Sequence, residues 1–166
     1  MTVAIEIGLD IACVLFMKRV METTEISVIK DEIDPNKESD LEVHEERLTI
    51  PKGVEVYEIN GPYFFGIATK FEETMAQLGD RPKIRIIRMR KVPFIDSTGI
   101  HNLTNLCQMS QKENIHIILS GVNEKVHNVL EKSGFYELLG KENICSNINE
   151  ALAVADKEIK ELTRDE

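Results

Sequence analysis

At 166 residues, 42% hydrophobic and 30% charged, the chain is long enough to bury a core as one domain with some extra length. Its 29 acids against 20 bases leave a formal charge of −9, which argues against nucleic-acid binding through a basic surface, and 5% aromatics with no Trp exclude a base-stacking platform. Cys13, Cys107 and Cys145 are odd in number and far apart, so a disulfide framework or a CxxC metal site has no support.

The first segment, "MTVAIEIGLDIACVLFMKRV", is unlike the start of a soluble domain. Thr2 to Met17 are mostly apolar, with Glu6 and Asp10 as the only charges, and Lys18-Arg19 follow. Apolar residues followed by positive charge match the cytoplasmic end of a membrane helix, whereas a signal peptide carries its charge first. The uninterrupted run from Ile11 to Met17 is too short to span a bilayer, which takes about 20 apolar residues. Two readings stay open: a membrane helix cut partway, or an amphipathic helix packing on the domain or a partner. Residues 1–29 are set apart as the remnant of a membrane helix, on the first reading, and a following helix. Residues 30–47, "KDEIDPNKESDLEVHEER", are acid-rich and poor in apolar side chains, as in a linker. The ordered domain is expected over 48–166.

From Leu48 the signals alternate. "LTIPKGVEVYEI" predicts a short strand, a Pro-Lys-Gly turn and a second strand. Phe64, Ile67, Ala68, Phe71, Met75 and Leu78 fall at helical spacing, and Gly79-Asp80-Arg81-Pro82 stops that helix. "KIRIIRMRKVPFI" predicts a central strand around Ile84, Ile86 and Ile87, with its arginines towards the ends or edges. Ile100, Leu103, Leu106 and Cys107 mark the next helix, with Cys107 as a small buried hydrophobe. "NIHIILSG" reads as a strand covered on both faces, and "VNEKVHNVLEKSGF" as a helix closed by Gly134. After a short extended piece at Ile144, Ile148, Leu152, Ala155, Ile159 and Leu162 form one helical stripe. The order implies an α/β domain with a mixed sheet, joined in its later part by parallel crossovers.

The junction "VPFIDSTGI" draws the functional question. In such folds, sites form outside the carboxyl ends of strands, where helix N-termini point. Asp96, Ser97 or Thr98 can cap the helix, Gly99 permits close packing, and the helix end would favour an anion. Catalysis finds little support: there is no G-x-S-x-G elbow, no phosphate loop, and no distant His and acid marked out for a triad. No catalytic residue, metal or cofactor is expected, and His44, His101, His116 and His127 show no metal spacing. A plain capping turn remains one reading. A phosphorylatable switch is the other, since phosphate on Ser97 would add about −1.5 to −2 charges at the helix start.

"VPFIDSTGI", an apolar helix and then "IHIILSGVNEKVHNVLEKSGF" together resemble a STAS domain, the fold of bacterial anti-sigma-factor antagonists. The N-terminal segment resembles the end of the last membrane helix in SulP-family anion transporters, which carry a STAS domain at the cytoplasmic C-terminus. The resemblance implies a STAS fold, a mixed central sheet with about four helices packed on it. It also implies a regulatory, assembly or protein-contact role on the cytoplasmic face of the bacterial inner membrane, beside a membrane domain that carries sulfate or related anions. The partners so implied are that membrane domain, a second copy in the full-length protein, and a cytosolic protein; nucleic acid is not among them. In the antagonist branch the serine after the Asp is phosphorylated, and that position is Ser97 here. Asp96, Ser97, Thr98 and Gly99, with the Val122, Asn123 and Glu124 loop nearby, form the expected regulatory surface. The alternative is a free-standing anti-sigma-factor antagonist switched at Ser97. Asp10 departs from the family pattern, standing where its membrane helix is usually apolar.

Overall fold

Two strands rich in β-branched residues set up the centre of the domain. β4 (Val54–Asn60) and β5 (Ile84–Lys91) pair in parallel, and nearly every residue of β5 is buried. A computed structural model describes residues 2–22, 24–29, 32–33, 48–63 and 81–162. Around β4 and β5 lies a five-stranded mixed sheet in the order β1-β4-β5-β6-β7. β1 (Glu25–Ile29) runs antiparallel to β4, while β6 (His116–Ser120) and β7 (Ile144–Cys145) continue the parallel part. β2 (Glu32–Ile33) and β3 (Leu48–Thr49) make a separate antiparallel ribbon.

Helices cover both faces, as a sheet with buried strands requires. α2 (Ser97–Lys112), α3 (Glu124–Lys132) and the short α4 (Phe135–Leu139) pack on one face, burying Tyr57, Ile59, Ile87, Met89 and Leu119. α5 (Ile148–Leu162) covers Val54, Val56, Ile84, Ile86 and Ile118 on the other through Ile148, Ala151, Leu152 and Ala155. This agrees with the alternation read from the sequence. Gly134 lies one residue beyond the Ser133 cap of α3, where the stop signal was expected.

Several expectations change. Glu25–Ile29 was placed in a helical stretch ahead of the linker, but it is an edge strand. Its β-branched "ISVI" half-buries Ile26 and Val28 against the core, and Thr24 is buried with its hydroxyl donating to the Pro62 carbonyl at 3.3 Å. The sheet therefore takes its first strand from ahead of Leu48, and Leu48–Thr49 pairs with β2 rather than with the sheet. Arg90 is exposed next to the last residue of β5, as expected, but the other two arginines of the strand are not at an exposed end or edge. Arg85 and Arg88 are buried in the strand, at 5% and 6% exposure. Arg88 pairs with Glu58 on the neighbouring strand at 3.2 Å. Arg85 donates to the Ser110 hydroxyl at 3.1 Å and lies over the Tyr57 ring, 5.5 Å from its centre. Such partners are what make a buried guanidinium tolerable. The helix expected from Phe64 to Leu78 and most of the 30–47 linker lie outside the described residues.

α1 (Thr2–Glu22) differs from the other helices. Its apolar residues are spread around the whole circumference, and Val3, Ile5, Leu9, Val14 and Phe16 are all more than 60% exposed. Among the described residues, no helix is long and apolar enough to cross a membrane.

Candidate regulatory surface at two helix starts

α2 begins where β5 has run out. After a tight turn, with the Val92 amide donating to the Met89 carbonyl at 2.9 Å, the chain passes Pro93, Phe94 and Ile95 and enters the helix. Asp96 is the N-cap: its backbone is extended, and its Oδ1 accepts from the Gly99 amide at 2.6 Å. That bond satisfies one of the amides a helix start leaves without an internal partner. Ser97, the first helical residue, is exposed, Thr98 is half-buried, and Gly99 is buried.

The glycine has a steric cause. A Cβ built on Gly99 would lie 2.2 Å from the Tyr63 carbonyl oxygen and 2.8 Å from Ile95 Cγ1. Tyr63 is fully buried, bridges Ile95 in parallel and donates its amide to the Phe94 carbonyl at 3.1 Å. Burial, with the Cys107 side chain behind it, holds its phenol well above the ordinary tyrosine range, so it stays neutral. The start of α2 is thus pressed against the strand-like segment that follows β4.

α3 begins at the end of β6 in a parallel way. Gly121 turns the chain at φ +69°, with Arg90 so close that a Cβ would sit 3.2 Å from the arginine's own. Asn123 caps α3, its Oδ1 accepting from the Val126 amide at 3.0 Å. Its Nδ2 reaches across and donates to the Val92 carbonyl at 2.5 Å. The two expected site segments are therefore joined: the Val122–Glu124 loop is stitched to the turn that leads into Asp96–Gly99. Val122 is half-buried against the core, and Glu124 is exposed.

The seven residues named from sequence thus fall at adjoining corners past the carboxyl ends of β5 and β6, in different states. Asp96, Ser97 and Glu124 face solvent, Gly99 is packing, and Asn123 is engaged at both ends of its amide. Sequence reasoning missed Tyr63, which imposes Gly99, and the Val92 carbonyl, which anchors Asn123. It also missed Phe94, an aromatic 50% exposed two residues before Asp96. An apolar side chain in a polar turn was the one signal available for it.

An α/β domain with a mixed sheet and a polar helix start at this strand end defines a class, and comparison with known proteins names it. Residues 47–151 match the model of the STAS domain family, and the chain belongs to that family. Among solved structures, a sulfate transporter family protein from Wolinella succinogenes is 40% identical with a TM-score of 0.64, the match covering 68% of this chain and 93% of that one. The STAS domain of a SulP transporter from Vibrio cholerae is 37% identical with a TM-score of 0.61, over 69% and 90% of the two chains. A putative sulfate transporter of Bacillus subtilis is 24% identical across 89% of this chain, which spans 26% of that protein's length.

Proposed function

We propose that the chain is the cytoplasmic STAS portion of a bacterial SulP-type transporter of sulfate or related anions, with a regulatory, assembly or protein-contact role. The observation that carries this reading is α1. α1 exposes apolar residues on every side, Val3, Ile5, Leu9 and Phe16 among them, a surface that a membrane domain would cover, although α1 is not itself long and apolar enough to cross a membrane. Lys18 and Arg19 follow on the side where cytoplasmic charge belongs. The similarity to sulfate transporters that are about four times as long supports the same reading. In it, Asp96, Ser97, Thr98 and Glu124 are the regulatory face, met by the membrane domain, by a second copy or by a cytosolic protein. Ser97 is the switch, because it is exposed at a helix start and carries no packing duty.

Fractionation of the source cells tests the first half, with an antibody raised against residues 48–166. The expected result is a band several times heavier than 18.9 kDa, confined to membranes. A soluble band near 18.9 kDa overturns it and favours a free-standing antagonist whose partner is a kinase. For the second half, Ser97→Asp in the full-length protein should change partner capture or anion uptake with the fold intact. Equal behaviour of the two versions counts against a switch at this corner.

A further inference from the structure

Thr24 stands between the end of α1 at Glu22 and the start of β1 at Glu25, and it is 2% exposed. Its hydroxyl donates to the Pro62 carbonyl at 3.3 Å. A Cβ built on Gly61 would lie 2.9 Å from Thr24 Oγ1 and 3.2 Å from Thr24 Cα. The chain leaving α1 is therefore pressed against the main chain that leaves β4.

The same three residues, Gly61-Pro62-Tyr63, meet the α2 corner on their other side. The Gly61 amide donates to the Lys91 carbonyl at 3.3 Å and the Tyr63 amide to the Phe94 carbonyl at 3.1 Å, so the segment is tied to the loop that enters α2. Gly99 then lies against Tyr63, with 2.2 Å between a Cβ there and the Tyr63 carbonyl oxygen. Two glycines thus mark two close main-chain contacts, one with Thr24 and one with the first turn of α2. Between them Pro62 has its φ fixed by its ring, and Tyr63 is 1% exposed. A segment so held has little freedom to absorb a movement at either contact.

We propose that Gly61-Pro62-Tyr63 is a strut that couples the start of α2 to the exit of α1, so that a change at the Ser97 corner alters how the α1 exit is held. A phosphate on Ser97 would compete with Asp96 for the first-turn amides, among them the Gly99 amide now bound to Asp96 Oδ1 at 2.6 Å. A shift of that turn moves Gly99 on the Tyr63 carbonyl, and Thr24 follows through Gly61 and Pro62. The coupling is reciprocal: a pull on α1 alters the corner by the same free energy. Its use in the cell rests on the reading of Ser97 as a switch and of α1 as the link to a membrane domain. The contacts themselves do not, and the chain alone can report them.

The test is amide hydrogen exchange in the ¹⁵N-labelled 166-residue chain, held in detergent micelles that cover α1. Thr24→Val removes the hydroxyl at nearly constant shape. Exchange at the Gly99 amide should quicken about three- to fivefold, the mark of a loosened corner. The control is the Glu150 amide, which donates to the Asn147 cap of α5 at 2.9 Å beyond the β7 edge of the sheet and should keep its rate. An unmoved Gly99 amide overturns the proposal. If Gly99 and Glu150 quicken alike, the whole domain has loosened, and Asp96→Ala becomes the deciding variant, read at the Gly61 amide. A greater acceleration at Gly61 than at Glu150 supports the strut, and an equal or smaller one overturns it. Neither variant alters Ser97. A Ser97→Asp effect on partner capture beside an unmoved Gly99 amide would therefore overturn the strut and leave the switch. A quickened Gly99 amide beside an inert Ser97→Asp supports the strut and counts against the switch.

Discussion

The two helix starts at the carboxyl ends of β5 and β6 look alike in sequence, each a polar cap residue two or three positions from a glycine, yet they are held in different ways. At Asn123 the side chain does the structural work, with one end of its amide capping α3 and the other bound to the Val92 carbonyl. At Asp96–Gly99 much of the work falls to the main chain. Gly99 lets the first turn of α2 lie against the Tyr63 carbonyl, and Asp96 adds a cap from the solvent side. The difference tells which residues are available for function. A corner clamped by backbone packing can leave Ser97 at the surface without structural duty, whereas Asn123 could not be recruited by a partner without loosening both loops. Position near a strand end is not enough to make a residue functional; how the corner is held decides it.

Breaking each corner should sharpen this contrast. The largest effect is expected from Gly99→Ala. Its Cβ would meet main-chain atoms that cannot swing away, so unfolding in urea should show a loss of about 3 kcal/mol. A smaller cost than that of Asn123→Ala would mean that the α2 corner is not held by backbone contact. Asn123→Ala removes a cap and an inter-loop bond together, and a loss of about 2 kcal/mol is expected in the same assay. Faster hydrogen exchange should appear at Val126 first, since its amide loses its acceptor. Asp96→Ala removes the cap alone and should cost about 1 kcal/mol, with Asp96→Asn or Asp96→Ser recovering most of it. Failure of those replacements to recover stability would point to a role for Asp96 beyond the cap. The smallest stability change is assigned to Ser97→Asp, within about 0.5 kcal/mol of the parent by urea unfolding. A larger loss would show that Ser97 is part of the clamp and unsuited to be a switch.

A second contrast, between α1 and α5, bears on the whole reading. The stripe from Ile148 through Ala155 in α5 is buried on the sheet, while the apolar residues of α1 face outward on every side. The apolar residues of α5 recur on one face and complete this domain, while those of the longer and more apolar α1 show no such periodicity.

Local pattern by itself determined a good deal of this protein. The strand–helix alternation, the burial of β5, the stripe of α5 and the polar start of α2 all follow from residues close to one another in the chain. The DSTG corner was legible for the same reason, because capping is a matter of three or four consecutive residues. Tertiary structure decided what depends on distant partners. Glu25–Ile29 becomes a strand because β4, some thirty residues later, offers its edge. Arg85 and Arg88 can be buried because Ser110, Tyr57 and Glu58 come to meet them from other elements. Gly99 must be a glycine because Tyr63 is there. In each case the energy lies in a contact between segments far apart in sequence, which no window along the chain contains.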